Sequence, residues 1–263
     1  MKRRGKEIIS RRFSRAASTY DDHALVQREC AIALLGLLPE DFVPDRILEI
    51  GCGTGSCTTL LADRFPHARI TAIDFAPGMI DQATAKLAGR PGVVCLCREG
   101  EAFLGANRET YDLITSNATM QWFDDLGAAG VNCGRALSKN GIFIASLFGP
   151  ASLGELAAGL TAVFGREVPV AAARFAGREE IRRLLAGGFD RIDITETTYR
   201  RSYPSLRSLL SHISRTGTAG HHAAPLPLTR ARIMALDAWF AVHGGYHVSF
   251  QVFSVLARGK TDG

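Results

Sequence analysis

The alternation of short apolar runs with helical stretches between about residue 44 and residue 150 is the feature that most constrains the fold. Five runs predict buried strands: Arg46–Ile50, Arg69–Asp74, Val93–Arg98, Tyr111–Ser116 and Gly141–Phe148. Helices are predicted between them at Cys57–Phe65, Pro77–Ala88 and Asp124–Ser138, the last ended by Asn140-Gly141. Runs rich in Ile, Leu and Val without polar alternation are typical of strands covered on both faces. The pattern therefore predicts an α/β fold built on a parallel sheet.

The segments that flank this core predict further elements. Residues 7–38 have the pattern of two helices joined near Tyr20. Phe189–Tyr203 and Val248–Arg258 alternate long enough to be extended strands, and helical stretches at Ser205–Ser214 and Leu228–Val242 lie between them. A loop of that length without structure is improbable in a compact domain. We therefore expect an N-terminal helical arm at residues 1–40, a core at 41–203 and 248–263, and a helical lid insert at 204–247.

Composition excludes several classes of protein. The 263 residues are 46% hydrophobic and carry a net charge of +5, which argues against disorder. The longest apolar runs are far shorter than the roughly 20 residues of a transmembrane helix, and the basic start is not followed by the apolar stretch of a signal peptide. Six cysteines lack the spacing of a zinc site or a disulfide framework. We expect buried thiols, no metal site and a cytoplasmic protein.

A glycine-rich loop follows the first predicted strand and precedes a helix, in the sequence Glu49-Ile50-Gly51-Cys52-Gly53-Thr54-Gly55. Glycines there let a ligand approach the backbone closely. Ser56 stands where the dinucleotide fingerprint has its third glycine, which separates this loop from that motif. Glu49 is expected within reach of a cationic group of the ligand. Asp74, at the end of the second predicted strand, is placed for two ribose hydroxyls.

The next two strand ends also carry polar groups. Glu99 and Gly100 follow the third strand, where Glu99 is expected to accept from an adenine amino group, while Glu101 is expected at the surface. Asn117 follows the fourth strand over the same crevice, with Gln121 and Trp122 beyond it. Ligand groups at four successive strand ends are typical of the crevice at a topological switch point.

This set resembles the class I S-adenosylmethionine-dependent methyltransferases over about residues 44–150. The resemblance implies a Rossmann-like, seven-stranded, mostly parallel sheet, S-adenosylmethionine as cofactor and S-adenosylhomocysteine as product. It also implies that Phe75 and Met79 flank the adenine and that Gln121 and Trp122 belong to the substrate pocket. The alternative for Phe75, Met79 and Trp122 is packing in the core.

Longer stretches are similar to the malonyl-acyl-carrier-protein O-methyltransferases of biotin synthesis. They are Phe13–Ala24 with Gln27, Ser116–Phe123, Phe148–Leu156 and Leu206–Gly217. The resemblance implies methylation of the free carboxylate of a malonyl thioester, on acyl carrier protein or coenzyme A, early in pimeloyl synthesis. It places Tyr20 and Gln27 near the methionine end of the cofactor, with Tyr20 in a catalytic role. Two departures are Arg215-Thr216-Gly217, in place of lysine-hydrophobic-glycine, and Glu99 in place of aspartate.

Positive charge is concentrated in two places. Residues 1–15 hold seven Lys or Arg against Glu7, and residues 204–248 hold four Arg against Asp237. Such segments favour an anionic substrate or an acidic partner protein, although a solvated surface is an equal alternative for the arm. Arg207 and Arg215 are eight residues apart, so one helix presents both on one side. We assign Arg215 to the malonyl carboxylate and Arg207 to the carrier protein; the alternative is that both are solvated.

Other functions remain open at this point. An O-methyltransferase for another small carboxylic acid would keep every cofactor residue and change only the insert. A non-catalytic methyltransferase-like binding protein would keep the fold, although the intact Glu49, Asp74 and loop glycines argue against it. Nucleic acid is disfavoured as substrate, because the fourth strand ends in Ser-Asn-Ala-Thr and lacks the signature of amino-group methylation. The sequence does not indicate the oligomeric state.

Overall fold

The computed structural model describes residues 3–216 and 228–259. Within these ranges seven strands form one sheet in the order β3-β2-β1-β4-β5-β7-β6. The strands are β1 (Arg46–Ile50), β2 (Arg69–Asp74), β3 (Val93–Cys97), β4 (Tyr111–Asn117), β5 (Leu137–Phe148), β6 (Phe189–Ser202) and β7 (His247–Gly259). The first five run parallel, and β7 pairs antiparallel with both β5 and β6. The predicted Rossmann-like α/β fold is confirmed.

Helices cover both faces of this sheet. They are α1 (Arg3–Ala16), α2 (Tyr20–His23), α3 (Leu25–Leu35), α4 (Ser56–Arg64), α5 (Pro77–Lys86), α6 (Gly100–Ala106), α7 (Leu126–Ala136), α8 (Gly154–Phe164), α9 (Arg178–Leu185), α10 (Leu206–Arg215) and α11 (Arg230–Val242). Short 3-10 turns occupy Ala17–Thr19, Met120–Trp122 and Ala171–Arg174.

The central strand β1 shows why the strand sequences lack polar alternation. Ile47 points into the apolar cluster shared with α3 and α4, whereas Leu48 and Ile50 point into the cluster shared with α7 and α9. All three side chains are almost completely buried. A strand covered by helices on both faces buries apolar residues on both, as the sequence predicted, and Glu49 is the buried polar exception in β1.

The insert and the N-terminal helices lie against different parts of the core. Helix α11 packs on α8, where Gly159 lies against Leu236 and Trp239, and α10 lies beside α2. Helix α1 packs on α5, with the Ser14 hydroxyl accepting from the backbone N–H of Gly78. Helices α1, α2 and α3 therefore stand next to the carboxyl ends of the first strands.

Several sequence predictions are wrong in detail. Helix α7 ends at Ala136 and β5 begins at Leu137, so Asn140-Gly141 lies inside a strand and does not end the helix. A register shift opposite Tyr111 and Leu113 accommodates this longer strand. Helices α6, α8 and α9 were not predicted.

All six cysteines are free thiols, but Cys97 is exposed and Cys95 half-buried, contrary to the expectation of buried thiols. In the described ranges no helix has the length and apolar character needed to cross a membrane.

Close packing of α7 on the turn before β6 generates the first prediction. A Cβ at Gly134 would overlap the carbonyl of Gly188, which is backbone and cannot move aside. We expect Gly134→Ala to lower the free energy of unfolding by about 1–3 kcal/mol, measured by urea denaturation. Gly105→Ala, in α6 with open space around the new Cβ, is the matched control and should be neutral or slightly stabilising. Equal stability of the two variants would contradict the contact.

Candidate active site

A cavity of about 370 Å³ opens at the carboxyl ends of β1, β2 and β4. Its walls come from the glycine loop, from these strand ends, and from α1, α2 and α3, which cover it. The predicted site residues that line it are Tyr20, Gln27, Gly51, Gly53, Thr54, Asp74, Phe75, Met79, Glu99, Gly100, Asn117 and Trp122. Parallel strands of an α/β sheet bring their carboxyl ends to one edge, where such proteins bind ligands.

The glycine loop needs its glycines for conformation and for space. Gly51, Gly53 and Gly55 have φ values of 76°, 55° and 81°, a region that residues with a side chain rarely adopt. A Cβ at Gly51 would overlap the side chain of Thr119, whereas one at Gly53 would meet nothing within 4 Å. Gly53 thus leaves a stretch of backbone open to the cavity.

Asp74 faces the cavity from the end of β2. Its Oδ2 accepts from the backbone N–H of Gly53 at 3.0 Å and its Oδ1 from that of Ala76 at 2.8 Å. Burial raises the pKa of Asp74 to about 6, although these N–H groups act in the opposite direction. Each carboxylate oxygen can accept a further hydrogen bond.

Glu49 is completely buried next to the loop and does not itself line the cavity. Its Oε2 accepts from the Thr58 hydroxyl at 2.6 Å, and its Oε1 has no hydrogen-bond partner among the described residues. Burial raises the pKa of Glu49 to about 7. The expected contact between Glu49 and a cationic group of a ligand stays a prediction.

Asn117 connects β4 to the N-terminal helices. Its Nδ2 donates to the carbonyl of Gln27 at 2.9 Å, and its Oδ1 accepts from the Ser146 hydroxyl at 2.7 Å. Because Ser146 belongs to β5, the position of α3 over the cavity is set by two neighbouring strands.

An ion-pair cluster that the sequence did not predict holds α1. Lys6 forms ion pairs with Glu99, Glu101 and Asp124. Glu99 also accepts from the backbone N–H of Ala102, which caps α6. Glu101 accepts from the backbone N–H of Asp124, so it is a structural residue and the expectation of a surface residue is wrong. Lys6 lies 93 residues from Glu99 in the chain, and no local pattern signals such a pair.

A second network holds α2 on the glycine loop. Asp21 accepts from the hydroxyls of Thr54 and Ser56 at 2.5 and 3.0 Å, and pairs with Lys86 at 2.5 Å. Partial burial raises its pKa, but the hydrogen bonds from Lys86 and Thr54 outweigh this and leave the pKa of Asp21 below its usual value. This role of Asp21 was also not predicted.

Tyr20 is half-buried on the cavity wall, with Phe13 edge-on at a ring separation of 6.2 Å. Burial, followed by the charges of Asp74 and Asp21, raises the pKa of Tyr20 far above its usual value. The phenol is therefore protonated at neutral pH and is available as a hydrogen-bond donor.

Comparison with known proteins agrees with this geometry. Residues 48–143 match the model of a methyltransferase domain. A malonyl-acyl-carrier-protein O-methyltransferase of Acetivibrio thermocellus is 33% identical over 97% of this chain and 94% of its own. The chain belongs to the malonyl-acyl-carrier-protein O-methyltransferase family. A relative of the same name from Bacillus cereus is 31% identical over 93% of this chain and 96% of its own.

Solved structures show the same fold at lower sequence identity. The YcgJ protein of Bacillus subtilis is 15% identical, with a TM-score of 0.60 over 88% of this chain and 98% of its own. A phosphoethanolamine N-methyltransferase of Haemonchus contortus, solved with S-adenosylhomocysteine, is 17% identical, with a TM-score of 0.53 over 88% of this chain and 53% of its own. These structures share the α/β fold of this chain.

Some predicted residues lie away from the cavity. Gly55 and Gln121 are not among its lining residues, and the Gln121 amide donates to the carbonyl of Ala118 instead. Trp122 lines the cavity and also packs edge-on against Phe175, while its contact with a substrate stays a prediction. Arg207 and Arg215 are exposed, and neither lines the cavity. Arg215 instead lies with its Nη1 3.1 Å from Nε2 of His23. Residues 217–227 of the insert lie outside the described ranges.

The buried carboxyl of Glu49 generates a prediction about stability. Its folded-state pKa of about 7 lies above its ordinary value, so the folded state favours the protonated form. The apoprotein should therefore lose up to about 3 kcal/mol of stability through Glu49 as the pH rises from 5 to 8. Glu49→Gln should remove this part of the pH dependence in urea denaturation, whereas the exposed Glu40→Gln should keep it. Identical pH profiles for the parent and Glu49→Gln would show that the carboxyl is not desolvated.

Proposed function

We propose that this protein transfers the methyl group of S-adenosylmethionine to the free carboxylate of a malonyl thioester on acyl carrier protein. The carrying observation is the match, over almost the whole chain, to relatives that bear this activity in their names. The methyl ester would serve as an early intermediate of pimeloyl and biotin synthesis. The free thiols are compatible with a reducing, cytoplasmic location.

The residues of the cavity fit this cofactor. Asp74 keeps acceptor capacity for ribose hydroxyls, and the open backbone at Gly53 leaves room for a ligand. Phe75 and Met79 line the same cavity and supply apolar contacts for adenine, with Glu99 beside them. Glu49, which is buried behind the loop and does not line the cavity, would complement from there the positive charge of the cofactor's amino group. When bound, S-adenosylmethionine supplies an electrophilic methyl group on a sulfonium.

A carboxylate acceptor removes the need for a general base. Carboxyl groups of this kind have reference pKa values near 4 and are ionised at neutral pH. The task left to the protein is to orient the two reactants and to exclude water, which contributes several kcal/mol in favourable cases. Tyr20, as a protonated phenol on the cavity wall, is suited to donate a hydrogen bond at the reacting end.

The insert favours an acidic protein as partner. Arg207 is exposed on α10, and α11 exposes Arg230 together with Ile233 and Met234. A basic surface with apolar side chains suits an acidic carrier protein. Malonyl-coenzyme A is the alternative thioester, and nucleic acid is not expected as a substrate. We keep the lid role of the insert as part of this proposal.

The function is tested with purified protein and isotope-labelled S-adenosylmethionine. We expect mass spectrometry to show label on the malonyl group of malonyl-acyl carrier protein. Malonyl-coenzyme A and free dicarboxylic acids serve as competing substrates. Label found only on a free acid would support the alternative carboxyl methyltransferase, and no label on any acceptor would leave the non-catalytic alternative.

Asp74→Ala should weaken binding of S-adenosylhomocysteine by about 1.5–3 kcal/mol while the protein stays folded. Because ribose hydroxyls favour the ionised carboxylate and burial raises its pKa to about 6, the parent should lose affinity as the pH falls below 6. Isothermal titration calorimetry measures both effects, with the exposed Asp41→Ala as control. Unchanged affinity would remove Asp74 from the site.

Tyr20→Phe should lower kcat about tenfold, since one hydrogen bond at the reacting end is lost. The melting temperature should stay close to that of the parent, because the ring and its contact with Phe13 remain. Steady-state kinetics at saturating substrate measure the effect. Equal kcat in the two proteins would make Tyr20 a packing residue.

Arg207 and Arg215 are predicted to act on the substrate from the insert. Arg207→Gln should raise KM for malonyl-acyl carrier protein at low salt and leave malonyl-coenzyme A unaffected, with the effect fading as salt screens the charges. Arg215→Gln should lower kcat/KM for both thioesters if it holds the malonyl carboxylate. Near-normal kcat/KM for both variants would exclude recognition through these arginines.

A further inference from the structure

The positively charged side chains on the cavity wall differ in what they contact. They are Lys6, Arg28, Lys86 and Arg98. Lys6 is paired with Glu99 and its neighbours, Lys86 is paired with Asp21, and Arg98 donates to the carbonyl of Cys97 at 2.9 Å. The guanidinium of Arg28 has no hydrogen-bond or ion-pair partner within residues 3–216 and 228–259. Arg28 is thus the cavity cation for which this part of the chain supplies neither a hydrogen-bond nor an ion-pair partner.

The helix that carries Arg28 is fixed in place. Gln27, the preceding residue, accepts from Asn117 at the end of β4. Ala24 and Ala31, one turn before and one turn after Arg28, line the same cavity and share its helix face. The backbone that carries Arg28 is therefore positioned before the ligand arrives, which lowers part of the entropic cost of binding.

We propose that Arg28 binds a carboxylate in the active-site cavity. A guanidinium matches a carboxylate with two parallel N–H···O bonds, and it stays charged at every physiological pH. The inference rests on the proposed function, which offers two carboxylates: that of the methionine part of the cofactor and that of the malonyl group. Both share this chemistry. The sequence assigned the malonyl carboxylate to Arg215, but Arg28 lines the cavity and Arg215 does not, so Arg28 is the alternative partner for that carboxylate.

Two ligands distinguish the carboxylate of the cofactor from that of the malonyl group. S-Adenosylhomocysteine carries the amino-acid carboxylate, whereas 5′-methylthioadenosine has the same adenosyl thioether and lacks the amino-acid part. Calorimetry compares both probes on the parent, Arg28→Gln and Arg28→Lys, and kinetics give KM for malonyl-coenzyme A. Arg15→Gln, an exposed α1 residue outside the cavity lining, is the matched control.

We expect Arg28→Gln to weaken S-adenosylhomocysteine about tenfold or more and 5′-methylthioadenosine less than about twofold, with Arg28→Lys in between. This result assigns Arg28 to the cofactor carboxylate. Unchanged S-adenosylhomocysteine affinity with an about tenfold higher KM for malonyl-coenzyme A assigns it to the malonyl carboxylate.

The inference is overturned if both quantities stay within about twofold of the parent, or if both probes weaken equally, which a structural defect would cause. A parent that binds S-adenosylhomocysteine but methylates no malonyl thioester refutes the proposed function, while the two probes still decide the role of Arg28. A parent that binds neither probe overturns both.

Discussion

Parallel pairing of β1 with β2 on one side and with β4 on the other is the constraint on which the site depends. Ile50 pairs with Ile73, and Glu49 pairs with Thr115, so three strands end at nearly the same level. The backbone N–H groups of Gly51 and Cys52 then both donate to the carbonyl of Ile73. A slip of one residue in β1 would turn its apolar side chains to the wrong faces, so the buried clusters on both faces hold this register.

The N-terminal helices are held on this edge by two networks of opposite polarity. At one end a cation of the arm, Lys6, contacts acids of the core. At the other an acid of the arm, Asp21, contacts a cation of the core, Lys86. This arrangement fixes the orientation of the arm, because reversing it would place like charges together. Lys6, a basic residue of the arm, thus has a structural role. From the sequence, only a solvated surface or a binding site for an anionic partner was expected for the positive charge of the arm.

The sequence predicted best what depends on short-range patterns. β1 and β2 have the predicted bounds. Asp74 and Asn117 lie at the cavity as predicted, because the end of an apolar run in the sequence marks the end of a strand. Helix α8 escaped prediction because its alanines, glycines and leucines give little polar contrast. The ion pair of Lys6 with Glu99 and the hydrogen bond from Asn117 to Gln27 join residues 93 and 90 positions apart. No local sequence pattern identifies Arg28 as a cavity residue, because its position at the cavity depends on how α3 packs over the sheet.

Desolvation, which raises the pKa values of the buried Glu49 and Asp74, also affects the methyl-transfer reaction. The pKa of Glu49 rises to about 7 and that of Asp74 to about 6 mainly because burial disfavours the charged form. A poorly solvated crevice equally disfavours a separated sulfonium and carboxylate, whose reaction yields two uncharged products. Charge is dispersed in the transition state of such a transfer, so exclusion of water raises the ground state more than the transition state. Covering the cavity with α1, α2 and α3 therefore favours a transfer that needs no catalytic base, because the carboxylate acceptor is already ionised.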